Sequence, residues 1–253
     1  MEMESGAELA RDAVADDEES MRLSMRFSYG DCFAAVEGLR RMFVVAGFGL
    51  LLLMPALAGA ADNARPLKIV ALGDSLSAGL GLPAQAAFPA MLQNSLKNKQ
   101  IHVDIANAGV SGDTSSGGRD RLDWSVPDGT DAVILELGAN DALRGIDPAV
   151  TRAALEDILK RLKARKIAVL LCGMLAPPNY GAEFAARFNA IYPDLARQYD
   201  VPLYPFFLDG VAADKTLNQA DGMHPTAQGV EVIVARILPA VEALIAAVRA
   251  RAG

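Results

Sequence analysis

Ser75, Asp221 and His224 carry a hydroxyl, a carboxylate and an imidazole, the set that turns an unreactive alcohol into a nucleophile. A serine hydroxyl attacks poorly near neutral pH unless a base takes its proton as the new bond forms. Histidine, with an ordinary pKa of about 6.5, suits that task. The chain has two histidines. His102 opens an apolar run beside the polar segment Lys97–Gln100 and is expected on the surface, away from any site. His224 sits in Asp221-Gly222-Met223-His224-Pro225, a turn just before the last helical stretch, so histidine-dependent chemistry belongs there. One turn can present the side chains of both Asp221 and His224. A carboxylate on one ring nitrogen fixes the tautomer and stabilises the imidazolium formed during attack. The competing reading of Asp221 is a cap for the helix beginning near Pro225.

Ser75 follows an apolar run in Gly73-Asp74-Ser75-Leu76-Ser77, where its N–H would open a helix and favour negative charge nearby. An ordinary N-cap serine is the plainer alternative. Ser77 stands where a G-x-S-x-G elbow needs its second glycine, which excludes that turn.

The elements that must position these groups are legible in the alternation of the body, residues 61–253. Short apolar runs recur at Leu67–Leu72, Ile101–Ala106, Ala132–Leu137, Ile167–Leu171 and Val201–Tyr204. Amphipathic stretches lie between them, at Pro148–Ala164, Glu183–Tyr199 and Thr226 to about Ala250. Continuous apolar runs predict strands buried on both faces, and their alternation with helices predicts βαβ units and a covered parallel sheet. Ligands bind such sheets beyond the C-terminal strand ends. Three of those ends read Gly73-Asp74-Ser75, Asn107 to Asp113, and Gly138-Ala139-Asn140-Asp141, which gathers small and polar groups at one edge.

The N-terminal part reads differently. Residues 1–41 are predicted to be a disordered extension or translation from an upstream start, with Met25 and Met42 as alternative starts. Arg40 and Arg41 precede an apolar stretch that closes in Ala58-Gly59-Ala60, so 42–60 reads as a secretory signal cleaved near Ala60. An uncleaved anchor is the alternative, which Pro55 and the small-x-small ending disfavour. The formal charge of −7 is concentrated before the body: residues 61–253 carry 21 acids against 19 basic side chains. That balance excludes the basic footprint that nucleic acid requires and offers no polybasic face to anionic lipid. With only Cys32 and Cys172, no disulfide scaffold or cysteine-based metal site can be built, and Cys172 reads as a buried small hydrophobe.

Taken in order, Gly73-Asp74-Ser75-Leu76, Gly112 in Ser111-Gly112-Asp113-Thr114, Asn140 in Leu137 to Asp141, and Asp221 with His224 resemble the four blocks of the GDSL, or SGNH, hydrolases. The segment Gly138–Gly145, Pro178-Asn179-Tyr180-Gly181 and Ile191-Tyr192-Pro193 are similar to the bacterial subgroup of acyl-CoA thioesterase I, protease I, lysophospholipase L1 and periplasmic arylesterases. The resemblance implies a flavodoxin-like three-layer α/β/α sandwich around a parallel sheet of about five strands. It implies a catalytic set of Ser75, Asp221 and His224, with an oxyanion hole from the N–H groups of Ser75 and Gly112 and the amide of Asn140. Neither metal nor organic cofactor is implied. Gly112 would allow close backbone approach, and Asp74 and Asp141 would brace the loops. Met174, Leu175 and Tyr180 would line an acyl pocket. Ala139, where a second glycine is common, and Leu175 to Pro178 depart from the pattern and bear on chain length rather than chemistry.

The expected protein is thus a periplasmic or secreted monomer without stable membrane association once the signal is cleaved. Its substrates would be small acyl esters, thioesters or lysophospholipids. Two rivals stand beside it: a carbohydrate O-acetylesterase of the same family, and a non-catalytic flavodoxin-like binding protein. Gly79-Leu80-Gly81 is no phosphate loop, which weighs against the second.

Overall fold

The structure, a computed structural model, describes residues 65–252. The extension expected over 1–41 and the signal expected over 42–60 lie outside the described residues.

In chain order the elements are β1 (Leu67–Gly73), α1 (Ser75–Ala78), α2 (Phe88–Asn98), β2 (Val103–Gly109), α3 (Ser115–Asp120), α4 (Leu122–Ser125), β3 (Ala132–Glu136), α5 (Ala139–Leu143), α6 (Pro148–Ala164), β4 (Ala168–Cys172), α7 (Gly181–Asn189), α8 (Ile191–Tyr199), β5 (Leu203–Tyr204) and α9 (Ala227–Ala252). The five strands form one all-parallel sheet in the order β2-β1-β3-β4-β5. This is the flavodoxin-like order, whose switch point lies between β1 and β3. Helices α2 and α9 pack together over one face, and α3, α6 and α8 lie over the other. Both faces are covered, which is why the strand runs carry no polar alternation.

The two kinds of strand depart from a uniform reading in an instructive way. β3 and β4 are buried throughout, and β1 everywhere except Lys68. β2 and β5 are the sheet edges, and both are only partly buried. The expectation of burial on both faces therefore fails at the edges. β2 also begins at Val103, not Ile101, and continues through Asn107-Ala108-Gly109, since an edge strand needs ladder hydrogen bonds but not apolar side chains. The amphipathic stretch Glu183–Tyr199 is two helices, α7 and α8, meeting at Ala190. Pro193 lacks the N–H that a continuous helix would require and is tolerated in the first turn of α8. His102 is exposed and Cys172 fully buried.

Register sets the level of the site. Gly73 pairs with Gly109 on one side and Glu136 on the other, and Glu136 pairs with Cys172. The strands end together, so the loops that follow β1, β2 and β3 leave from one line.

Candidate active site

At the end of β1 the chain turns at once into α1, a helix of only four residues. Asp74 caps it, its Oδ1 accepting the Leu76 N–H at 2.9 Å. Ser75 is therefore the first helical residue, and its N–H has no acceptor among the described residues. Its side chain is almost enclosed, at 7% exposure, and faces His224. Nε2 of His224 lies 2.9 Å from Ser75 Oγ, across 149 residues of sequence.

The histidine is held locally. Asp221 Oδ1 accepts the N–H groups of Met223 (2.9 Å) and His224 (3.0 Å), forming a tight turn. The other oxygen, Oδ2, lies 2.6 Å from His224 Nδ1. These two backbone donors, followed by the imidazole, hold the Asp221 carboxyl down at about 2. Asp221 does not cap the last helix, which begins six residues later at Ala227. A carboxylate on Nδ1 leaves Nε2 unprotonated and aimed at the serine hydroxyl, the geometry for general-base attack.

Asn140 lies in the first turn of α5, at the end of β3. One N–H of its amide donates to Asp74 Oδ2 at 3.1 Å. Nδ2 has a second hydrogen, and Asn140 lines the same cleft as Ser75 and His224. Asp74 thus braces both the serine turn and Asn140. Asp141 braces from below: buried, it accepts the Ser115 N–H at 2.8 Å and the hydroxyls of Ser115 and Thr151.

Gly112 follows β2 with φ +84°, a left-handed conformation that favours glycine. A Cβ there would meet only the Arg144 guanidinium, at an ordinary 3.6 Å, so backbone conformation rather than crowding by protein requires glycine. Arg144 donates to the Gly112 carbonyl at 2.8 Å, and the Gly112 N–H has no acceptor among the described residues.

Beyond the polar end the cleft, of about 370 Å³, is apolar, lined by Leu143, Met174, Leu175, Phe206, Leu208 and Met223. Leu143, Leu175 and Met223 are each nearly half exposed at its rim. Tyr180 is not in that lining, which corrects the expectation for it. Its hydroxyl donates to the Leu143 carbonyl at 2.8 Å and its ring packs on Phe184. It supports the wall from outside.

Two supporting residues are not among those the sequence singles out. Arg121 is buried and donates to the carbonyls of Gly73 and Ala108, to Ser125 Oγ and to Asp113, clasping the ends of β1 and β2 to the Gly112 loop. Nothing local marks it. Glu136 is buried in β3 and accepts from Ser77 Oγ at 2.8 Å and from the Asp74 N–H at 3.3 Å. A lone acid inside the run Val133-Ile134-Leu135-Glu136-Leu137 is the signal that could find it.

Residues 71–232 match the GDSL-like lipase/acylhydrolase family. The chain belongs to that family. It is 41% identical over 179 residues to thioesterase 1/protease 1/lysophospholipase L1 of Escherichia coli K12, spanning 70% of this chain and 82% of the relative. An arylesterase of Vibrio mimicus is 38% identical over 159 residues, spanning 62% of this chain and 80% of the relative. Among solved structures, AlinE4, an SGNH-hydrolase family esterase, superposes with a TM-score of 0.61 at 47% identity over 71% of this chain and 96% of its own. The protein is a serine ester hydrolase of the SGNH type, acting on small-molecule esters.

Proposed function

We propose that Ser75 is the nucleophile, His224 the general base and acid, and Asp221 the residue that orients the imidazole. The observation that carries this is the continuous line of contacts from Asp221 through His224 to Ser75 Oγ, at the polar end of an apolar cleft. Ser75 Oγ attacks the acyl carbonyl carbon as Nε2 of His224 takes its proton. The carbonyl oxygen becomes an oxyanion, received by the N–H groups of Ser75 and Gly112 and the free N–H of Asn140. Donors fixed in advance need no reorganisation as that charge grows. Collapse of the tetrahedral adduct expels the alcohol or thiol, which leaves with the proton from His224. Water then attacks the acyl-enzyme, His224 accepts its proton, and collapse frees the acid and returns the proton to Ser75.

The cleft supports short- to medium-chain acyl groups as substrates, carried on aryl esters, thioesters or lysophospholipids. Its walls are aliphatic and aromatic, with few groups that could bind sugar hydroxyls. The names of the two relatives point the same way. The basic flank and apolar stretch of 40–60 support export, signal cleavage near Ala60 and a periplasmic or secreted monomer. Among the described residues no helix is long and apolar enough to cross a membrane.

A fluorophosphonate probe tests the nucleophile. The wild-type enzyme takes up one label, and Ser75→Ala takes up none while keeping its circular dichroism. Labelling of the mutant at a second serine would refute the assignment. Hydrolysis of acetyl to palmitoyl p-nitrophenyl esters, beside acetylated sugars and a lysophospholipid, tests the substrate class.

A further inference from the structure

The mechanism leaves one buried acid without a part. Glu136 ends β3 with no exposed surface. Its Oε2 accepts from both the Ser77 hydroxyl and the Asp74 N–H, whereas Oε1 has no partner among the described residues. A Cβ on Gly73 would collide with the Ser77 hydroxyl and the Glu136 carboxyl, so the glycine before Asp74 makes room for this contact. An ionised carboxylate with one bare oxygen is costly in such a place. A neutral acid can keep its proton on Oε1 and still accept twice through Oε2.

The neighbouring acid, Asp74, has the opposite surroundings. Its two oxygens take N–H donors from Leu76 and Asn140, and the His224 imidazole lies close enough to favour its charge. Burial raises Asp74 to about 6 despite those donors. Burial first, and then the Asp74 charge, raise Glu136 well above the usual carboxylate range. The other groups bearing on the pair do not reverse this. Cys172 and Tyr192 are buried and held neutral, and Asp141 adds like charge on Asp74. The Arg121 guanidinium is spent on Asp113 and on the Gly73 and Ala108 carbonyls. With the Asp74 charge already opposing that of Glu136 in a dry interior, the two carboxyls do not ionise together.

We propose that Glu136 is the neutral, proton-bearing member of a buried carboxyl pair and a positioning residue for the serine turn, leaving the charge on Asp74 to aim the Asn140 amide. Glu136 fixes the turn through the Asp74 N–H and Ser77 Oγ. Only the ionised Asp74 offers an unprotonated oxygen to each donor at once, Oδ1 to the Leu76 N–H and Oδ2 to the Asn140 amide. The kinetic consequence rests on the oxyanion reading of Asn140; the location of the proton does not.

Infrared difference spectroscopy of the whole enzyme in D2O at mildly alkaline pH, where exposed carboxyls are ionised, reads the proton directly. The wild type shows a protonated-carboxyl C=O stretch that Glu136→Gln lacks. A wild type without that band overturns the proposal. In kinetics, Glu136→Gln keeps the acceptor oxygen and stays within about threefold of wild-type kcat, whereas folded Glu136→Leu loses about tenfold or more at unchanged KM. Ser77→Ala reads the same contact from the other side if Glu136→Leu does not fold, and loses kcat severalfold at unchanged KM. Wild-type kcat in folded Glu136→Leu, or in Ser77→Ala, overturns the positioning role. Because Asp74 acts through Asn140, the double mutant Asp74→Asn/Asn140→Ala loses no more kcat than Asn140→Ala alone, and additive losses overturn that link. Wild-type kcat in Asn140→Ala would instead overturn the oxyanion reading, with the infrared band still deciding where the proton lies.

Discussion

The two sides of the cleft are built on opposite plans. On the Ser75 side the supporting groups are buried or, for Asn140, half-buried, and most are remote in sequence: Glu136 lies 59 residues from Ser77, Asn140 66 from Asp74, and Arg121 more than forty from Gly73. On the His224 side one exposed residue does nearly everything. Asp221 leaves 40% of its side chain in solvent and bonds only within its own turn. In the proposed mechanism the nucleophile and the oxyanion donors must match a carbonyl to within a few tenths of an ångström, which needs a rigid, cross-braced floor. The imidazole needs only the right tautomer and direction, and a three-residue turn supplies both.

The sharpest way to break this comparison is to remove chemistry from the exposed side without touching the fold. Asp221→Asn keeps an oxygen for the two backbone donors but presents a donor to Nδ1, which selects the wrong tautomer. We expect kcat to fall by about 10⁴ with an unchanged melting temperature. A large loss of stability would show that the turn is more than a local device. The buried side should behave in the opposite way. Arg121→Met leaves Asp113 and two strand-end carbonyls without their partner, and unfolding by urea should show a loss of about 3–5 kcal/mol.

Asn140→Ala tests the buried side at the chemistry itself. Loss of one oxyanion donor should lower kcat by about 10²–10³ and leave KM nearly unchanged, because the bond strengthens only as charge develops. A raised KM with wild-type kcat would make Asn140 a binding or turn residue.

A pH titration separates the sides more finely. Asp74, at about 6, stands above the ordinary value of 3.8. Between those values the folded chain binds the proton more tightly than the unfolded chain, so the cost of this buried charge is full above about 6 and is relieved as pH falls. Stability should therefore not be lost at Asp74 on acidification, but activity should be. A proton on Asp74 Oδ2 removes the acceptor that aims Asn140. The kcat advantage of the wild type over Asn140→Ala should therefore shrink as pH falls through about 6, and an advantage that stays constant would detach Asp74 from catalysis. Asp221, depressed to about 2, behaves inversely: its contribution is full above the unfolded value and is lost only as pH falls through about 2.

The smallest effect is expected at the rim. Leu175→Ala and Met223→Ala remove apolar surface from half-exposed positions, worth about 1 kcal/mol or less each toward a bound acyl chain. KM should rise a fewfold for longer p-nitrophenyl esters and stay unchanged for acetate. Equal changes across chain lengths would place the acyl group elsewhere.

Much of the fold and of the site is legible in the amino-acid sequence, and for a physical reason. Strands β1, β3 and β4 are covered on both faces, so their sequences are forced into apolar runs that reveal them. An edge strand and a helix junction impose weaker demands on composition, so the apolar run places β2 two residues early and a single amphipathic stretch hides the break between α7 and α8. Asp221 and His224 are legible because their partnership is local, within one turn, and Ser75 because a strand-to-helix switch follows an apolar run. Tyr180 misleads because an aromatic residue near a cleft reads the same whether it lines the wall or props it from outside. The roles of Arg121 and Glu136, and the 2.9 Å approach of His224 to Ser75, are decided by tertiary structure alone. Parallel pairing brings the ends of β1, β2 and β3 to one level, and burial there converts ordinary polar side chains into a network. The order of residues determines which groups are available; only the packed sheet decides which of them meet, and which of two buried acids keeps its proton.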